Sequence, residues 1–282
     1  MKTKMSEIFH LIAVVSLALA FLNTGCDKNS TDPKQTAPDL PPTASFVMDF
    51  SDFAVVNPSP AAPQVSGQFD QTLTKQNWGW AAGNVGVWNT LITVGLAVPV
   101  AAFMESFKHE AVLQTDGSWV WSYSFTVLGI IHNAKLQAKV TDQQVQWDMY
   151  ISKQDAYTDF HWYTGTSNLP PTHGTWTLYN SPDNPAPLLG IEWNRDAQTS
   201  TGDIKYTNIV PEGAENGGYI YYGVTQDTVY NAFYDIYNKG KDNTTNIRWN
   251  RTEKYGQVKD PQHFGDSEWH CWDSHLDDIA CQ

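Results

Sequence analysis

The chain has 282 residues and a formal net charge of −13, with 17 Lys and Arg against 30 Asp and Glu. So acidic a chain excludes the phosphate-neutralising surface that nucleic-acid binding needs, and electrostatic docking on anionic lipid with it.

The first 25 residues have the parts of an export signal: a basic start (Lys2, Lys4), an apolar core "IFHLIAVVSLALAFL" after Glu7, and small residues up to Gly25. Such a leader is removed from the mature protein. The alternative is an uncleaved anchor, but the core is shorter than the ~20 apolar residues a bilayer span needs. The run ends in "LNTGC". It resembles the lipobox of bacterial lipoproteins, with Leu22 one place early and Asn23 in its usual position. The resemblance implies that Cys26 is acylated, palmitate included, and becomes the mature N-terminus. The implied location is the cell envelope, lipid-anchored in the outer membrane on its periplasmic face or at the cell surface. Simple secretion and a cytosolic location are the alternatives. Residues 26–44 are polar and proline-rich, the composition of an extended tether.

Phe46, Met48, Phe50 and Phe53 fit either an edge strand or a segment packed across a barrel mouth. The stretch from Gln76 to Met104 carries no charge and contains Gly79, Gly83, Gly86, Gly95 and Pro99. A helix over 77–107, apolar all round and kinked by Pro99, suits burial in a core. A transmembrane helix or strand hairpins are the alternatives. The first would carry everything after residue 107 across the membrane, away from the side of Cys26.

From residue 111 to 273 the pattern changes to a period of two. Trp119, Trp121, Tyr123, Phe125 and Val127 share one face of a strand, as do Ala134, Leu136, Ala138 and Val140, and Val145, Trp147, Met149 and Ile151. Further strands read from "DFHWYTG", "GTWTLYN", "LLGIEWNR", "DIKYTNIV", "GYIYYGVT", "TVYNAFYDIYN", "TNIRWNR" and "SEWHCWD". Turn-forming stretches such as "SNLPPTHG" and "NKGKDN" separate them. The expected fold is mainly β: one antiparallel meander of about ten or eleven strands, curled as an open half-barrel around the N-terminal helix. It occupies residues 45–282 as a single domain. By architecture alone it is similar to lipocalins and to lipoprotein carriers of the outer-membrane sorting pathway, a likeness that no motif carries.

With Cys26 taken by lipid, Cys271 and Cys281 form an even remainder, and a disulfide is expected. No phosphate loop, nucleophile elbow or zinc-protease pair is present, and no catalytic residue, metal or cofactor is expected. "HFGDSEWHCWD" read as a strand puts Asp266, Glu268 and His270 on one face, ligand types for a divalent ion; a solvated face is the plainer reading. Tyr150, Tyr163, Tyr179 and Tyr222 are expected on the outer face of the sheet, where a glycan or protein could dock. The interior is expected to hold a hydrophobic small molecule in a cavity lined by Trp88, Phe103, Trp119, Trp121, Trp147, Trp162, Trp176 and Trp193. The expected partners are therefore membrane lipid through Cys26 and a hydrophobic small molecule or glycan, and no nucleic acid.

Overall fold

A computed structural model describes residues 36–53 and 75–281. The leader, Cys26, the first part of the tether, residues 54–74 and Gln282 lie outside them. From Ala37 onward the chain forms one compact unit.

The alternating segments become an open sheet of fourteen antiparallel strands, each paired with its neighbours in sequence. They are β1 (Val112–Leu113), β2 (Trp119–Val127), β3 (Ile130–Thr141), β4 (Gln144–Lys153), β5 (Tyr157–Asn168), β6 (His173–Ser181) and β7 (Asn184–Asp196). Then follow β8 (Thr201–Asn208), β9 (Tyr219–Val224), β10 (Ala232–Asn238), β11 (Asn243–Trp249), β12 (Gly256–Lys259), β13 (His270–Trp272) and β14 (Asp278–Ile279). The count exceeds the expected ten or eleven because β1, β12 and β14 are two, four and two residues long. Strands that short show no alternation to read.

The expected single helix is two: α1 (Gln76–Gly95) and α2 (Ala97–Ser106), bent by 72°. Pro99 explains where the break falls. It has no N–H to give to Gly95, four residues earlier, and its ring would crowd that carbonyl. The ladder therefore breaks at Leu96, and Pro99 sits in the first turn of α2, where a missing N–H costs nothing. No single helix among the described residues is long and apolar enough to cross a membrane; the bent pair passes that test only as a pair, by length and composition.

One face of the sheet is the core side. Leu136, Trp147, Met149, Ile151, Tyr163, Trp176, Leu178, Tyr206 and Tyr234 are all buried on it. Residues 42–53, part of them expected as tether, lie across this face with two short 3-10 turns, Thr43–Ser45 and Ser51–Phe53. An irregular buried segment must find partners for its backbone. The polar tips of inner-face aromatics supply them: Trp176 Nε1 donates to the Ser45 carbonyl at 3.0 Å, Tyr206 Oη to that of Phe46 at 2.8 Å, and Tyr234 Oη to that of Asp49. Met48 N–H donates in turn to Tyr206 Oη at 3.1 Å. Phe46 meanwhile packs among Phe103, Tyr163 and Trp176. The segment is thus part of the core.

Candidate functional site

Five of the eight residues expected to line a ligand cavity belong to the buried apolar core. Phe103, Trp121, Trp147, Trp176 and Trp193 are buried in one continuous apolar cluster with Phe46, Met48 and Phe53. Trp119 and Trp162 are partly buried at its margin. Trp162 sits at a register shift: Met149 pairs with Tyr163 and Tyr150 with His161, so β5 has one residue more than β4 here. Such a bulge breaks strict alternation. Tyr163 then faces inward, fully buried, instead of outward as expected. Tyr222 is also buried, because it shares a face with Ile220, and a one-residue slip in register exchanges the two faces. Tyr150 and Tyr179 do lie outside, Tyr150 stacked on His161 and Tyr179 tilted against the same ring.

Trp88, one of the eight candidate cavity residues, lines a cleft of about 740 Å³ between α1 and the sheet. Helical periodicity builds its first wall. Trp80, Asn84, Trp88, Leu91 and Ile92 recur every three or four residues and form one stripe of α1. Leu188, Leu189 and Ile236 provide an apolar floor from β7 and β10. The facing wall is polar: Asn208, Glu215, Asn238, Lys241, Asn243 and Gln262 come from the β8–β9 loop, the β10–β11 turn and the start of α3 (Pro261–Phe264).

Asp260 closes one end. It is 2% exposed, and its carboxylate accepts from Trp80 Nε1 at 3.0 Å, Asn243 Nδ2 at 2.7 Å, Thr245 Oγ1 at 2.7 Å and the His263 N–H at 3.2 Å. Burial alone would raise its pKa. The hydrogen bonds from Thr245, Asn243, Trp80 and His263 outweigh that and hold it below the ordinary carboxylate value. With four donors already on it, Asp260 is a structural anchor joining α1 to the sheet and has no lone pair spare for acid–base work. The uncharged run of α1 was the sequence signal for this cleft. Its polar wall, drawn from the β8–β9 loop, the β10–β11 turn and α3, had none.

Cys271 and Cys281 meet at disulfide distance, with their Cα atoms 5.2 Å apart. The expected strand through "DSEWHCW" shrinks to β13, so Asp266, Glu268 and His270 do not form a face; Asp266 instead hydrogen-bonds His270 at 3.1 Å. No cluster of three metal-ligating side chains exists among the described residues.

On the outer face, a hollow of about 680 Å³ is lined by Tyr221 and Phe233 with His173, Asn194, Arg195 and Asp203. A third opening, about 780 Å³ between residues 43–50 and the helices, is lined by apolar side chains with few polar groups. No protein-family model, no curated protein and no solved structure matches this chain.

Proposed function

We propose that this is a lipid-anchored protein of the bacterial envelope, without catalytic function, whose domain holds an apolar or amphiphilic small molecule in the cleft beneath α1. The observation that carries the reading is the contrast between the two cleft walls. An acyl chain laid along Trp88, Leu91, Ile92 and Ile236 would leave water for an apolar surface, at about 25 cal/mol per Å². A polar head would meet the amides and charges of Asn208, Asn238, Lys241 and Gln262 opposite. Ligand sites commonly join a large apolar surface to a few orienting polar groups in this way.

An open half-barrel supports the reading. The stretch from Trp80, bonded beside β12, to Ala102, whose carbonyl accepts from Tyr123 of β2, connects two strands ten spacings apart. Flat, those strands would lie about 48 Å apart, whereas the helical stretch rises only about 33 Å even when straight. The sheet therefore curls toward the helices, and the cleft is the gap left at one mouth.

The test is a lipid extraction of the purified protein and a titration with a fluorescent acyl probe. Leu91→Lys, at an exposed position, should weaken binding about tenfold by placing a charge on the apolar wall. Gly95→Leu should also obstruct the cleft, since a side chain there meets open space and no neighbour. An empty extraction together with a flat titration overturns the ligand. The anchor is tested separately: Cys26→Ala should abolish palmitate labelling and release the protein from membranes.

A second reading rests on the outer hollow, where Tyr221 packs edge-on against Phe233 at 5.0 Å beside Asn194, Arg195 and Asp203. Aromatic faces beside planar hydrogen-bonding groups suit a saccharide. Glycan-array binding lost in Tyr221→Ala but kept in Leu91→Lys would favour it over the cleft.

A further inference from the structure

We infer that the ligand of the cleft beneath α1 is a single-chain amphiphile with a neutral polyhydroxyl head, a glycerol or a sugar, and that the cleft discriminates against a carboxylate head. This deepens the cleft reading above and rests on it.

The polar wall facing α1 carries four carboxamides, and each is held by one end. The side-chain oxygen of Asn208 accepts from the Val210 N–H at 3.0 Å, and that of Asn238 accepts from the Lys241 N–H at 2.9 Å. The amide nitrogen of Asn243 donates to Asp260 at 2.7 Å, and that of Gln262 donates to the Lys241 carbonyl at 2.7 Å. A backbone N–H can pair only with the oxygen of an amide, and a carbonyl or carboxylate only with its nitrogen. These partners therefore fix which way each amide is turned. Asn208 and Asn238 keep an unused NH2, while Asn243 and Gln262 keep an unused carbonyl oxygen. None of these four ends has a partner among the described residues.

Two donors and two acceptors on one wall select the head chemistry. A carboxylate only accepts, so it suits Asn208 and Asn238 but sets its lone pairs against those of Asn243 and Gln262. An ammonium only donates, and fails at the other two. A hydroxyl does both and turns to suit its neighbour, so a group of hydroxyls can meet all four ends. Leaving the mismatched ends dry and unpaired costs more than a bond merely not gained.

The charges agree. Among the described residues that line the cleft, Lys241 is the one lysine or arginine, and it is set against the carboxylates of Glu215 and Asp260. His263 adds no positive charge at neutral pH. Burial, in a stack with Trp80 and Phe264, and the nearby His270 outweigh the pull of Asp260 and hold its pKa below the ordinary histidine value. A neutral imidazole again offers one donor and one acceptor. A site built for an anion needs the opposite balance of charge.

The test uses the full mature chain with Cys26→Ser, so that no attached acyl group competes. Dodecyl glucoside, monododecanoylglycerol, dodecanoate and dodecyltrimethylammonium carry the same length of chain and differ in the head. Each is titrated by calorimetry at about pH 8, where the carboxylate is ionised, below the concentration at which it forms micelles. Both hydroxyl heads should bind about tenfold more tightly than either ion. Gln262→Leu, at an exposed position of α3, removes one unused acceptor. It should weaken the glucoside about fivefold and leave dodecanoate unchanged or tighter. Dodecanoate or the ammonium binding as tightly as the glucoside overturns the inference and leaves the cleft as an amphiphile site. A Gln262→Leu loss that is absent, or equal for glucoside and dodecanoate, overturns it too. So does glucoside binding that Tyr221→Ala abolishes and Gln262→Leu does not, which would move the sugar to the outer hollow. If none of the four binds, the cleft reading itself falls, and the inference falls with it.

Discussion

Trp80 lies flat on His263, ring centroids 3.6 Å apart and planes within 4°, while its indole N–H reaches past the stack to Asp260. This pair fixes α1 over the sheet, and Asp260 fixes the pair. Asp260→Ala should cost about 3 kcal/mol, since it strands buried donors and removes the cap of α3 together. Urea unfolding followed by tryptophan fluorescence measures it. A loss below about 1 kcal/mol would mean that water replaces the carboxylate, and the anchor role would be wrong.

Acid should loosen the core segment at residues 49–52. Asp52 accepts from Arg251 Nε at 2.7 Å and from Lys254 Nζ at 3.1 Å, and Arg251 also reaches Asp49 at 3.1 Å. Burial would raise the pKa of Asp52, but hydrogen bonds from Arg251 and Lys254 and their charges prevail and lower it. A depressed folded pKa gives stability that is present above the unfolded value, about 3.9, and is lost as pH falls through the folded value. The stability gap between the unsubstituted chain and Asp52→Asn should therefore be about 1–2 kcal/mol at about pH 6 and vanish near about pH 2. Denaturant midpoints at the two pH values decide it; a gap that persists in acid rules the linkage out.

The long strands were legible because each buries one face, so that Trp119 to Val127 or Val145 to Ile151 write the sheet's pleat directly into the sequence. The place of residues 46–53 was not, because Tyr206 and Trp176 lie more than a hundred residues away and the segment has no period of its own. Strand β5 was read on the wrong face for a local reason, since the extra residue at Trp162 breaks the alternation that revealed its neighbours. "DPQHFG" did carry a signal that passed unread. Asp260 caps α3, Pro261 begins it, and Gly265 ends it with φ of 80°. The cleft was half visible: the helix stripe follows from an uncharged run, but its polar wall comes from turns that only the register of β8 to β11 brings together.

Two glycines should respond oppositely to the same substitution. A Cβ added at Gly86 meets nothing within 4 Å, so this glycine does not serve close helix–sheet packing. Gly86→Ala should stabilise the protein by about 0.5–1 kcal/mol through helix propensity alone. At Gly165 a Cβ would fall 2.3 Å from both the Thr175 carbonyl and the Trp176 ring. Gly165→Ala should cost about 3 kcal/mol, because neither backbone nor a buried indole can give way. Thermal melts of the two variants suffice, and a shift of the same sign in both would contradict the packing described.

The C-terminal tail should control the cleft without touching it. Helix α1 has no local side-chain cap at Lys75. Its first amides, on Gln76 and Asn77, donate instead to the two carboxylate oxygens of Asp278, at 3.0 and 2.9 Å, across some two hundred residues of sequence. A carboxylate there satisfies unpaired N–H groups and faces the positive end of the helix dipole. Asp278 is held in place by β14 and by the Cys271–Cys281 link, which closes a ten-residue separation. Asn77 Nδ2 also donates to the Cys271 carbonyl at 2.9 Å, so helix and tail are fastened at the same spot. Asp278→Ala should cost about 1 kcal/mol, and replacing both cysteines by serine about 2–3 kcal/mol. Because the link acts partly by positioning the cap, the combined variant should lose less than the two losses added. Each change should also weaken acyl-probe binding, since freeing the N-terminus of α1 lets the wall that carries Trp80 and Trp88 drift. Additive losses in a full double-mutant cycle, with probe affinity unmoved, would show that tail and helix are independent.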